Sequence, residues 1–286
     1  MSSACLDTSP IGAVRLAAGR SVHRTACRAA WLAASLITTA TVAAPPLRVC
    51  ADPDNLPYSH ADGRGFETRI AQVVADELQR PLAITWLRMH RGFVRKTLGE
   101  GRCDVLLGVP VGLPRVVITQ PYYRSTYVFV TRTADPQPLR DFADPRLAAL
   151  RVGVQLVGND LAATPPGHAL ARHGAVDRVV GYAVDGDGPA AARMLQSLAR
   201  GELDAALVWG PQAGYFAQRL GVPLALTAAR APSDVPVPFE FGIAMAVRHG
   251  DEALRDALDG ALVRRRAEID TILAAHAVPR TDRTAP

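Results

Sequence analysis

From residue 47 onward the chain alternates short apolar runs with segments whose apolar residues recur every three or four positions. "LRVCA" (47–51) reads as a strand, and Phe66, Ile70, Val73, Val74 and Leu78 then follow at the spacing of one helical face. "LAITWL" (82–87) is strand-like, and "RGFVRKTLGEG" (91–101) predicts a short helix ending at glycine. "DVLLGVP" (104–110) is an apolar run closed by Gly and Pro, the mark of a buried strand. Strand–helix–strand–helix–strand in this order predicts a parallel sheet with right-handed crossovers.

The pattern pauses after "STYVFVTR" (125–132) at a Pro- and Asp-rich connector, then resumes. "LRVGVQ" (150–155), a helix near 166–173, "RVVGYAV" (178–184), a helix across 189–200 and "LDAALVW" (203–209) form a second set. A second proline-rich connector enters a strand within 231–247, and two helices close the chain, the first with Leu254, Leu258 and Leu262 on one face. Two crossings between two α/β sets predict a bilobal α/β fold with two crossover strands and a cleft between the lobes. Residues 45–132 and 239–286 form the first lobe in this reading, and 133–238 the second.

The first 44 residues read as an export signal. Arg15, Arg20, Arg24 and Arg28 precede the apolar run "AAWLAASLITTATVAA" (29–44), which ends in small residues. Cleavage after Ala43 or Ala44 fits, and the true start falls near Val22 if the long charged region is not translated. The alternative is an uncleaved membrane anchor, although no later segment reaches the ~20 apolar residues of a span. The formal charge of +5 drops to about +2 once that segment is removed. The remaining arginines are interspersed with acids, which excludes a nucleic-acid surface as the first reading.

With these elements placed, the chain resembles the type II, amino-acid-receptor class of periplasmic solute-binding proteins. "LRVCADPDNLPYS…GRGFE", "LGEGRCDVLLG", "PYYRSTYVFVTR" (121–132), "GELDAALVW" (201–209) and "FEFGIAMAVRHGDEALRDAL" (239–258) carry the resemblance. A narrower similarity, to the J-type binding proteins associated with PQQ-dependent methanol dehydrogenases, rests on "RGFVRKTL", "PYYRSTYVFVTR", "TPPGHALARHG" (164–174) and "VWGPQAGYF" (208–216). It implies a non-enzymatic periplasmic accessory protein that supports maturation or activation of a PQQ alcohol dehydrogenase, with no cofactor of its own. The competing reading is a transport receptor handing a small organic solute to a permease.

The departures from the class matter. Its amino-acid receptors hold the ligand carboxylate with an arginine where this chain has Gly112, with Arg115 nearby but displaced. They hold the ammonium with an aspartate just after "LDAALV", where Trp209-Gly210-Pro211 stands. A ligand charge buried without its partner is costly. Loss of both anchors argues against a zwitterionic amino acid.

Binding groups in α/β lobes cluster where strands end. Asp52, Asn55 and Tyr58 follow the first strand and are expected on the cleft wall, as are Pro110 and Trp209 at later strand ends. Gly158-Asn159-Asp160 could present donors to an anion, Arg91 a cation, and Tyr122 an aromatic face. Solvated turns and core packing are the competing readings for these residues. Asp52 and Asp54, and "DGDG" (185–188), have the opening spacing of a calcium loop without its remaining ligands, so no metal site is expected. No catalytic set emerges. Glu67, the nearest candidate, starts a helix whose dipole suits its charge.

Cys50 and Cys103 remain after cleavage, and an oxidising compartment favours a bond. Cys50 is fourth in its strand whereas Cys103 precedes its own. In-register pairing would part them by ~10 Å, beyond the ~7 Å that a disulfide spans. Register decides, and both outcomes stay open.

Overall fold

A computed structural model describes residues 44–133, 137–158, 162–184 and 188–282. The expected export signal, apart from Ala44, lies outside the described residues, as do Asn159, Asp160 and the aspartates at 185 and 187.

The first lobe opens with β1 (Leu47–Ala51), a small hairpin of β2 (Asp54–Asn55) and β3 (Ser59–His60), and α1 (Phe66–Glu77). β4 (Leu82–Trp86) pairs parallel to β1 along its whole length, Leu47 opposite Leu82 and Ala51 opposite Trp86. β5 (Val105–Pro110) is parallel to β1 on the other side. The apolar spacing read from the sequence buries Phe66, Ile70, Val73 and Val74 of α1 against this sheet. Each such side chain contributes roughly 1.5–3 kcal/mol of burial.

The short helix expected over 91–101 is present from 93 to 99 and ends at Gly99, with its Arg95–Gly99 part wound as a wide turn. Glycines at 92, 99 and 101 weaken the helix. The Thr97 hydroxyl also donates to the Phe93 carbonyl at 2.7 Å, a bond that competes with the helical ladder.

Short β6 (Val117–Ile118) leads into β7 (Tyr123–Arg132), a ten-residue strand that leaves the first lobe for the second. The second lobe contains β8 (Val152–Val157), β9 (Ala162–Ala163), α2 (Pro165–Arg172), β10 (Val179–Ala183), α3 (Ala190–Ala199), β11 (Ala205–Trp209), α4 (Gly210–Ala217) and β12 (Leu224–Ala228). β10 and β11 flank β8 in parallel, while β11 and β12 run antiparallel to β7. The chain returns through β13 (Glu240–Val247), which pairs with the first half of β7 and then with β5. α5 (Glu252–Arg264) and α6 (Arg266–Ala275) then pack on the first lobe. The strand order β10-β8-β11-β7-β13-β5-β1-β4 thus runs through both lobes, with β7 and β13 joining them.

After α6 the chain crosses back toward the second lobe. The His276 ring stacks on Tyr215 of α4 at 5.9 Å and meets Phe66 of α1 edge-on at 5.7 Å. The Ser125 hydroxyl donates to the Pro279 carbonyl at 2.6 Å, and Thr281 N–H to the Arg124 carbonyl at 3.1 Å. Gly214 makes this approach possible: a Cβ there would overlap the Ala277 carbonyl.

Cys50 and Cys103 are joined, with Cα atoms 5.6 Å apart. The strand register is the unfavourable one, Cys50 opposite Leu106. The chain before β5 does not extend the strand line, however. Asp104 N–H bonds to the Arg48 carbonyl, its carboxylate holds the Arg48 guanidinium at 2.5 Å, and the turn preceding it brings Cys103 to Cys50.

Candidate functional site

A cavity of about 370 Å³ lies between the lobes. Asp52, Asp54 and Asn55 after β1, and Arg88, Met89 and His90 after β4, form its first-lobe wall. Gln155 of β8, Gln212 in the first turn of α4, and Val184 and Gly188–Ala190 leading into α3 form the opposite wall. The volume falls within the range of small-molecule sites.

The stretch "CADPDNLPYS" builds the first wall from its own backbone. The Asp52 carboxylate accepts from Asp54 N–H at 2.8 Å and from Met89 N–H at 2.5 Å, fastening the β1 and β4 ends together. Ser59 donates to the Asp52 carbonyl at 2.8 Å, closing the β2–β3 hairpin. Asp52 is buried with both oxygens engaged, so it shapes the wall, while Asp54 and Asn55 keep freer faces.

On the second wall the Gln155 amide donates to the Gln212 carbonyl oxygen at 3.2 Å. This leaves Gln155 an acceptor and Gln212 a donor for a guest. Among the described residues, the charges at the cavity come from the first lobe only: Asp52, Asp54, Arg88 and, when protonated, His90. The described residues therefore offer neutral amides on one side and charges of both signs on the other.

Tyr58 and Trp209 do not line this cavity; they meet behind it. The Trp209 indole faces the Tyr58 hydroxyl, whose ionisation burial pushes well above its usual range against the opposing influence of that indole. Tyr58 packs edge-on against Phe66 at 5.5 Å, and Trp209 against Tyr127 at 5.3 Å and Phe241 at 5.8 Å. An aromatic cluster thus fills the junction of β7, β11 and β13. Burial in it pushes the Tyr127 hydroxyl up to about 12.

Beneath the cluster sits Glu67, and here the sequence expectation needs correction. Its carboxyl is not an ionised partner of the α1 dipole. Burial raises it to about 8, opposed by the Tyr122 hydroxyl at 3.4 Å, so it is largely protonated at neutral pH. Tyr122 in turn accepts from Gly108 N–H at 3.1 Å, and a Cβ on Gly108 would overlap the Glu67 carboxyl. Tyr122 is fully buried and belongs to this internal network, outside the cleft.

Two other expected residues also fall outside the cavity. Pro110 is exposed at the end of β5 opposite Ile243, and Arg91 is exposed beyond the segment that supplies Arg88 and His90. Gly112 and Arg115 stand on the β5–β6 loop, also outside the cavity. Sequence reasoning missed Arg88, Met89, His90, Gln155 and Gln212. The strand-end rule that selected Asp52 would have found the first three behind "LAITWL", and Gln212 just past "LVW". Glutamines carry no motif signal, and Gln155 was read only as a strand residue. Among the described residues, no three His, Cys, Asp or Glu side chains gather in a way that could hold a metal ion.

This fold and inter-lobe cavity are those of a bilobal solute-binding protein. The chain belongs to the bacterial extracellular solute-binding proteins, family 3, whose model matches residues 47–276. Within that class it is similar to Protein MoxJ of Methylorubrum extorquens (strain AM1), 32% identical over 249 residues, 82% of this chain and 81% of that protein. It is 29% identical to Protein MoxJ of Paracoccus denitrificans over 276 residues, 90% and 96% of the two chains. The crystal structure of periplasmic binding protein XoxJ from Methylobacterium extorquens AM1 aligns with a TM-score of 0.69 and 35% identity, covering 83% of this chain and 100% of that one. No helix among the described residues is long and apolar enough to cross a membrane.

Proposed function

We propose that the protein is a non-enzymatic periplasmic accessory protein that supports maturation or activation of a PQQ-dependent alcohol dehydrogenase. The similarity to the MoxJ and XoxJ proteins supports the reading, and the junction behind the cleft carries it. Where the class would place an aspartate for a ligand ammonium stands Trp209, turned into the hinge and packed on Tyr127 and Phe241. Where it would place the carboxylate-binding arginine stands Gly112, away from the cavity. A zwitterion would enter without the partners that the class places at those two positions.

The test pairs calorimetry with reconstitution. Titration with the common amino acids is expected to give no binding heat. Addition of the purified protein to the maturing dehydrogenase is expected to raise its activity, and the two are expected to co-purify. A dehydrogenase equally active with and without this protein would end the reading.

One observation favours a second reading, a transport receptor for a small organic solute other than a plain amino acid. The Gln155–Gln212 pair leaves one acceptor and one donor for a polar guest in the 370 Å³ cavity. That reading requires tight binding of a metabolite, weakened at least tenfold by Gln212→Ala.

A further inference from the structure

We propose that a groove on the first lobe, separate from the inter-lobe cavity, docks a protein partner that inserts apolar side chains from an acidic segment. The groove encloses about 510 Å³ between the wide turn at Arg95–Gly99 and the β5–β6 loop. Val94, Leu98, Leu113 and Val116 form its floor, and Arg95, Arg115, Arg248 and His249 stand around it. It shares no lining residue with the cavity between the lobes.

The floor is the outer side of a small satellite core. Phe93, Leu98, Leu106 and Val109 gather around the Cys50–Cys103 bond as a satellite core, with Val94, Leu113 and Val116 as its outer layer. The helix at 93–99 and the β5–β6 loop leave that layer partly open to solvent between them. Concave apolar surface of this kind marks an interaction site.

The rim specifies the partner's charge. Of the groove's arginines, Arg248 is paired with Asp251 at 2.6 Å and Asp104 at 3.3 Å, which leaves Arg95 and Arg115, and the adjoining residues 91–102 add Arg91, Lys96 and Arg102 against Glu100 alone. Glu100 is divided between Arg102 at 3.1 Å and Arg95 at 3.8 Å. Arg115 has no ion-pair partner among the described residues and is held exposed at φ 69°, a conformation uncommon outside glycine and concentrated at functional sites. Exposed cations around an apolar floor match acids flanking apolar side chains. The aliphatic floor has no aromatic platform for bases.

The test places photoreactive benzoylphenylalanine at Leu113 of the full chain in its producing cells, with Val263, 76% exposed on α5, as the control position. Cross-linked peptides are identified by mass spectrometry. The expected result is an adduct from position 113 to a segment containing both acidic and apolar residues, absent from position 263. Arg95→Glu with Arg115→Glu should reduce it at least tenfold while leaving the unfolding midpoint unchanged, both side chains being exposed. No adduct above control, or adducts to segments lacking acids, would overturn the proposal. So would binding to phosphatidylglycerol vesicles that the double variant abolishes, with no protein adduct, since the face would then be a membrane contact. An acidic segment from a protein other than a PQQ dehydrogenase would uphold the groove and tell against the function proposed above.

Discussion

The Trp209 indole faces the Tyr58 hydroxyl, and this contact brings the end of β11 in one lobe to the β2–β3 turn of the other. Both rings also pack in the aromatic junction, so each can lose its polar atom while keeping most of its contacts. Tyr58→Phe removes only the polar contact and should cost at most about 1 kcal/mol, the usual net value of one hydrogen bond. Urea unfolding measures the loss. Faster amide exchange confined to residues near 58 and 209 would show that the contact acts between the lobes; a uniform increase would refute that role.

Glu67 sets a second expectation, with a definite sign. Burial raises its folded-state value to about 8 from 4.5, so between those pH values the folded protein binds more protons than the unfolded chain. Stability attributable to this group is therefore fully present below pH 4.5 and is lost as pH climbs toward 8. The limiting slope is about 1.4 kcal/mol per pH unit, reduced because part of the residue borders a small recess with Asn55 and Thr68. Glu67→Gln should match the parent at pH 4.5 and exceed it by roughly 1–3 kcal/mol at pH 8. Parallel stability–pH curves for the two proteins would show that the carboxyl titrates normally.

The same neighbourhood shows what the sequence carried and what it did not. β1, α1, β4 and β5 were legible because their apolar periods are set by burial on one face or two, which is a local property. The crossing at β7 was legible from two α/β sets separated by a polar, proline-rich connector. Glu67 was misread because its burial depends on Tyr122 and Gly108, 55 and 41 positions away, whose proximity only the folded sheet creates. Trp209 was rightly placed at a strand end, but the direction of its ring is fixed by Tyr58 and Tyr127 in other elements. The cavity wall escaped for a similar reason: Gln155 and Gln212 meet across two elements, and neutral amides leave no charge pattern to read.

The Cys50–Cys103 bond closes a stretch of 53 residues that includes α1, β4 and the turn flooring the lobe-one groove. On loop-closure entropy alone, a loop of that length is stabilised by about 4 kcal/mol. Cys50→Ala with Cys103→Ala should lower unfolding stability by roughly 2–4 kcal/mol. Reductant should move the parent's urea midpoint to that of the variant and leave the variant unchanged. Equal midpoints for parent and variant without reductant would mean that the bond does not constrain the chain.

The C-terminal return places a sharper demand on one position. Gly214 of α4 lies against the Ala277 carbonyl, so a methyl group there must push away either the helix or the strap that carries His276 and Pro279. Overpacking of this kind costs roughly 1–3 kcal/mol. Gly214→Ala should therefore lower the melting temperature by several degrees, at about 2–4 °C per kcal/mol for a chain of this size. Ala277→Gly should behave oppositely: Ala277 sits at φ 51°, where glycine is unstrained, so that variant should be neutral or slightly stabilising. If the strap absorbs the methyl, amide exchange at Thr281 should accelerate while that of Val208 in β11 stays slow, since Thr281 N–H depends on the Arg124 carbonyl. Undisturbed exchange at Thr281 together with an unchanged melting temperature would show that α4 and the C-terminal segment are not in contact in solution.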